Sequence, residues 1–284
     1  MVDTHCHIYK EYYDNITDVV NKSYECGVEV LINNGCNVDT SKEVLTLSDL
    51  YNNMYCVIGL HPGENLSEID KVVALIKNNL DNKKMVGIGE IGLDYSYTKE
   101  NRLKQIEVFE IQLKFASEYH LPVIIHSRDA TQDMLDILKK YKLKGIIHCF
   151  NGSVEVAKEY IKMGYKLGIN GVVTFKNCKL IETIRKIGID NLVFETDSPY
   201  LTPVPNRGKR NDPSYVVNIL EFVSNELNID KELLVKVSNR NVSEIFDINI
   251  NSWYIISVNY MYEGWIHENF YKDYKNYGCI YCYI

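Results

Sequence analysis

The 284-residue sequence predicts an α/β fold, a (β/α)8 barrel of the TIM type with a short C-terminal extension. Eight short apolar runs rich in Val and Ile recur between residues 2 and 196, nearly continuously apolar as parallel strands covered on both faces are. Each run starts mostly 20 to 36 residues after the last, room for a turn, a helix and a return. The length also suits one such barrel, which takes about 250 residues. Periodicity alone leaves a doubly wound sheet open.

In chain order the strands are expected at Val2–Cys6, Val28–Asn33, Tyr55–Leu60, Met85–Gly89, Val123–His126, Gly145–Cys149, Tyr165–Ile169 and Leu192–Thr196. Between them, Arg102 to Tyr119 places Ile106, Phe109, Leu113 and Ala116 on one helical stripe with charges opposite. Gln132 to Tyr141 and Val154 to Met163 repeat that pattern, and Gly164 follows the latter as a helix stop. The barrel domain is expected over 1–248. Residues 249–284 hold both tryptophans and eight of the 22 tyrosines without clear periodicity, so they read as a Tyr/Asn/Ile-rich extension and not as a second domain.

Composition narrows the function. With 46% hydrophobic and 24% charged residues, disorder is excluded. No apolar run approaches the roughly 20 residues of a membrane helix, and the opening MVDTHCHIYK lacks the apolar core of a secretory signal. A cytoplasmic, membrane-free monomer is expected. The net charge of −7 argues against coating nucleic acid over a broad surface, leaving room for one local basic loop. The 8 cysteines are scattered, apart from Cys279 and Cys282, and suit a reducing compartment; a zinc site at that pair lacks a second ligand pair.

His5 and His7 flank Cys6 at the end of the first strand, where residues two apart share a face and both imidazoles can reach one metal ion. Cys6 then points to the opposite face. Glu90, His126, His148 and Asp197 end other expected strands, the end at which barrels of this class carry their sites. Singly, each has a plain alternative: a carboxylate paired with lysine, a core histidine bonded to backbone, or an aspartate capping the turn before Ser198-Pro199. Together at one end they point to a pair of divalent ions, with one carboxylate able to bridge. Asn206 to Asn211 (NRGKRN) places three cations in four residues after the eighth strand, either a phosphate grip or a solvated charged loop.

The strings DTHCH, GLHP, GIGEIGLDY, LPVIIHSRDA, HCFNGS, GVVTFKN, ETDSPYL and PNRGKRNDPSYV occur in that order. In them the chain, from residue 2 to about Phe246, resembles the TatD family of metal-dependent hydrolases, a deoxyribonuclease branch of the amidohydrolase-like barrels. The resemblance implies a two-metal site: His5, His7 and Asp197 on the first ion, His126 and His148 on the second, and Glu90 bridging. It implies substrate contacts at Arg128 and Arg207, with His61 in the site behind the ligands or against substrate. Asp94 and Tyr95 are weaker candidates that loop stabilisation explains as well. Two positions depart from the family pattern: Asn151 replaces a usual serine, and Gly63 follows GLHP where a second histidine is common.

The expected reaction is phosphodiester hydrolysis by water that two ions (Mg²⁺, Mn²⁺ or Zn²⁺) activate, Asp197 and Glu90 being catalytic and Asp197 the base. The resemblance suggests 3′-to-5′ exonuclease action on DNA. RNA or tRNA are further substrates to weigh, because the same barrel supports ester or amide hydrolysis such as aminoacyl-tRNA deacylation. A non-catalytic scaffold would have lost ligands, and all six are present.

Overall fold

The computed structural model describes residues 1–96 and 100–250 of the chain. Residues 251–284, nearly all of the expected extension, lie outside the described residues, as does the Cys279/Cys282 pair.

Eight strands form one parallel sheet in sequential order: β1 (Val2–Cys6), β2 (Val30–Asn34), β3 (Met54–Ile58), β4 (Met85–Asp94), β5 (Val123–Arg128), β6 (Gly145–Ile147), β7 (Tyr165–Ile169) and β8 (Leu192–Phe194). Around them lie α1 (Ile16–Glu25), α2 (Val38–Leu50), α3 (Ile69–Asn78), α4 (Arg102–Glu118), α5 (Thr131–Leu138), α6 (Val154–Lys162), α7 (Leu180–Ile187), α8 (Val216–Leu227) and α9 (Lys231–Phe246). This is the (β/α)8 barrel, and the strand order rules out the doubly wound alternative. Among the described residues no helix is long and apolar enough to cross a membrane.

Side-chain hydrogen bonds complete the ring between β8 and β1. Buried Asp3 accepts from the Thr196 hydroxyl at 2.5 Å and its backbone N–H at 2.9 Å. The Thr4 hydroxyl donates to the Phe194 carbonyl at 3.1 Å, and the Asp197 and Ser198 backbones bond to those of His5 and His7. Burial pushes the Asp3 carboxyl up to about 8, opposed by its bonds from Thr196.

Strand ends differ from expectation where the site begins. β4 runs through Asp94 instead of stopping at Gly89, whereas β6 and β8 stop at Ile147 and Phe194, short of Cys149 and Thr196. The chain there leaves sheet geometry to aim side chains inward: Cys149 and Asp197 adopt left-handed backbone, with φ of 48° and 56°.

The α4 stripe buries Phe109, Leu113 and Ala116 as its periodicity predicts, but it also buries two glutamines. Gln112 pairs with both the N–H and C=O of Leu60, and Gln105 does the same with Asp94. Each amide fixes the strand-end loop that carries a polar site residue, and losing one leaves buried backbone groups unpaired at about 1–3 kcal/mol each. Gly92, at φ 153°, has no alternative: a Cβ there would stand 1.9 Å from the His126 carbonyl oxygen.

Candidate metal centre

Two strands bulge at the residues that matter. The β1–β2 register slips between Asp3 and Cys6, around His5, and the β4–β5 register slips between Ile88 and Ile91, around Glu90. A bulge re-aims a side chain, and here both turn into the barrel mouth, His5 wholly buried and Glu90 only 3% exposed.

His5 Nε2 and His7 Nε2 lie 3.1 Å apart. Glu90 Oε2 is 3.4 Å from the first and 3.5 Å from the second, and Asp197 Oδ1 is 3.6 and 3.4 Å from the same pair. Ligand atoms about 2.1 Å from a tetrahedral centre are about 3.4 Å apart, so the His5, His7 and Glu90 atoms suit one divalent ion, with Asp197 at the same spacing from both imidazoles. Glu90 Oε1 faces the other way, 2.8 Å from His126 Nδ1, 3.6 Å from His148 Nε2 and 3.7 Å from His61 Nε2. One carboxylate divides five histidines into two sets.

What stands behind each ring decides which can bind metal. His148 Nδ1 donates to Glu195 Oε1 at 2.9 Å, His126 Nε2 to Asp94 Oδ2 at 3.1 Å, and His7 Nδ1 to the Asn34 carbonyl at 3.1 Å. An acceptor behind the ring holds one proton there, so the nitrogen facing Glu90 is the one that can give up its proton to a metal ion. His61 is the reverse: the Gly63 N–H donates to its Nδ1 at 3.0 Å, so its inner Nε2 carries the proton. Although His61, Glu90 and His126 lie close enough to hold an ion, His61 is built as a donor. That donor is the backbone at Gly63, the departure from the family pattern, where a Cβ would press to 3.1 Å from the His61 ring. The rear Nδ1 of His5 is buried without a partner.

Electrostatics set His61 apart from His148. Burial lowers both His61 and His148, but for His61 it prevails, bringing it down to about 4, a neutral ring at pH 7. For His148 the carboxylates of Glu195, Asp197 and Glu90 overcome burial and raise it to about 9. Burial would raise Glu90, yet His61, His5 and His148 hold it well below the usual carboxylate range; Asp197 is likewise lowered by His148, His7 and His5.

All six expected ligands and His61 therefore meet in one pocket. Arg128 ends β5 with its residue exposed, and Arg207 donates to the Thr202 carbonyl at 3.1 Å with its guanidinium 4.0 Å over the Phe175 ring. Asp94 serves both roles weighed for it, receiving Ser96 in its loop and His126 at the site. Tyr95 turns away to Asp133, and Cys6 points outward to the Ile32 carbonyl, as alternation predicts.

Glu195 was not foreseen. Fully buried, it takes His148 Nδ1, the Cys149 N–H at 2.7 Å and Asn170 at 3.4 Å on one oxygen. A Cβ at Gly168 would stand 2.3 Å from its other oxygen, so that glycine makes its seat. The available signal was its place two residues before Asp197, the same spacing as His5 and His7. Cys36 was also missed; its Sγ lies 3.8 Å from Glu90 Oε2 and from His7 Nδ1, just past the end of β2.

The family model described as "TatD related DNase" matches residues 2–247. The chain belongs to this family. It is 39% identical over 254 residues to YabD of Bacillus subtilis, named an uncharacterized metal-dependent hydrolase, covering 88% of this chain and all of that protein. With YcfH of Escherichia coli, of the same description, identity is 32%, covering 88% of this chain and 96% of that one. Among solved structures, the TatD homolog YjjV of Escherichia coli superposes with a TM-score of 0.82 at 26% identity, covering 87% of this chain and 98% of that one. The chain is thus a TatD-family protein of the metal-dependent hydrolase type, with a His/Glu/Asp cluster able to hold metal.

Proposed function

We propose that the chain hydrolyses phosphodiester bonds of DNA as a 3′-to-5′ exodeoxyribonuclease with two divalent ions. The observation that carries this reading is the division of Glu90: Oε2 toward His5, His7 and Asp197, Oε1 toward His126 and His148. These six residues would hold the ions, His5, His7 and Asp197 one, His126 and His148 the other, and Glu90 both. Divalent ions so held supply Lewis acidity and make water a nucleophile at neutral pH.

The side chains supply the rest. Asp197, held ionised by the histidines around it, takes the proton of the attacking water on Oδ2, the oxygen not turned toward His5 and His7. His61 Nε2–H donates to an oxygen of the phosphodiester as charge builds there. Arg128 and Arg207 hold flanking phosphates, which their positions at the end of β5 and in the loop after β8 support.

The test is cleavage of end-labelled single-stranded DNA by metal-stripped protein re-supplied with Mg²⁺, Mn²⁺ or Zn²⁺. A metal-dependent ladder receding from the 3′ end is expected. Intact DNA with every ion, from protein that takes up two metals per chain, would move the reading to ester or amide hydrolysis.

A further inference from the structure

Beside the metal centre, the loops after β1 and β8 bring aromatic rings together. Tyr200 is three residues past Asp197 and remains 50% exposed, although its ring centroid is only 6.3 Å from that of His7. Its hydroxyl donates to that of half-buried Tyr12 at 2.7 Å, and the two rings meet edge to face at 5.8 Å. The pair is preorganised: each hydroxyl is occupied by the other, and much of the Tyr200 ring stays in water. Cations are interleaved with it. Arg210 donates to the Tyr12 carbonyl and lies 4.7 Å over the Tyr13 ring, while exposed Lys209 is its chain neighbour. Aromatic faces beside cations are how single-stranded nucleic acid is held, bases stacked and phosphates neutralised.

We infer that Tyr200, braced by Tyr12, is the stacking face for the nucleobase adjoining the scissile phosphate. The inference rests on the phosphodiesterase reading and deepens it. A duplex end would have to fray before its base could reach the ring.

The experiment compares the full chain, loaded with Mn²⁺, on single-stranded oligonucleotides that are intact or carry one abasic tetrahydrofuran residue at the last or penultimate 3′ position. KM is expected to be about tenfold higher when the base that stacks is missing. Tyr200→Ala should erase that preference, handling both substrates alike, whereas Tyr200→Phe should keep it, because the ring survives and only the hydroxyl is lost. Equal KM for intact and abasic substrates in the unaltered protein overturns the stacking face while leaving the nuclease reading in place. Loss of the preference in Tyr200→Phe as complete as in Tyr200→Ala also overturns it, making the tyrosine pair a latch between loops. Failure to cleave either oligonucleotide with any ion overturns both readings together.

Discussion

The two sides of Glu90 are built in different ways. On the Oε2 side, His5 and His7 come from the end of one strand, two residues apart, and Asp197 from the segment just past β8 that bridges to it. On the Oε1 side, His61, His126 and His148 come from three separate strand ends, and what stands behind each ring differs: acceptors behind His126 and His148, a donor behind His61. Proximity alone makes His61 look like a ligand. The hydrogen bond behind it says otherwise, so within the pocket the proton's position, more than distance, separates ligand from donor.

The most severe way to break this division is to remove its divider. Glu90→Gln replaces a carboxylate that can serve both sides with an amide that cannot, and should lower turnover on the order of 10³-fold with loss of bound metal measured by elemental analysis. Full turnover in that variant would end the two-sided scheme. His61→Ala sharpens the contrast on the Oε1 side: kcat/KM is expected to fall about 10²-fold with metal content unchanged. Metal lost from this variant would mean that His61 is a ligand and that the Gly63 bond yields when an ion is present.

Glu195→Gln leaves shape nearly intact but removes the charged acceptor that fixes His148. Metal affinity should drop about 10–100-fold, with activity recovered at high metal concentration. Equal affinity in the variant would reduce Glu195 to a packing group.

The smallest effect is a pH dependence. His148, raised to about 9, is protonated at pH 7 in the metal-free protein, and an entering ion must displace that proton. The sign is therefore that apparent metal affinity increases as pH increases, about tenfold per unit between pH 6 and 8 for each displaced proton. Titration calorimetry in buffers of different ionisation enthalpy would count the protons. Release of none would show that His148 is already neutral.

Much of this was legible in the sequence because it is local. Apolar runs at barrel spacing located all eight strands, and the strand ends named every histidine that meets at Glu90, though not Cys36. The errors lie where tertiary forces override local pattern. β4 continues through Asp94 because Gln105 of α4 holds its last backbone groups, and no periodicity within β4 announces a partner on another element. Cys149 and Asp197 leave their strands through left-handed backbone that their residue types do not predict. The α4 stripe hid its two glutamines because a polar residue on a buried face is explained only by the loop it bonds.

By itself, then, the sequence determined the barrel, the end of it that carries chemistry, and the ligand atoms available there, since these follow from spacing along one strand or one helix. Which ring nitrogen can turn to a metal ion, and which is held as a donor, was decided only by the tertiary structure. The groups that set it, Asn34 behind His7, Asp94 behind His126, Glu195 behind His148 and Gly63 behind His61, bond by distance and angle in space, and for three of the four rings the bonded partner is 27 residues or more away in the chain.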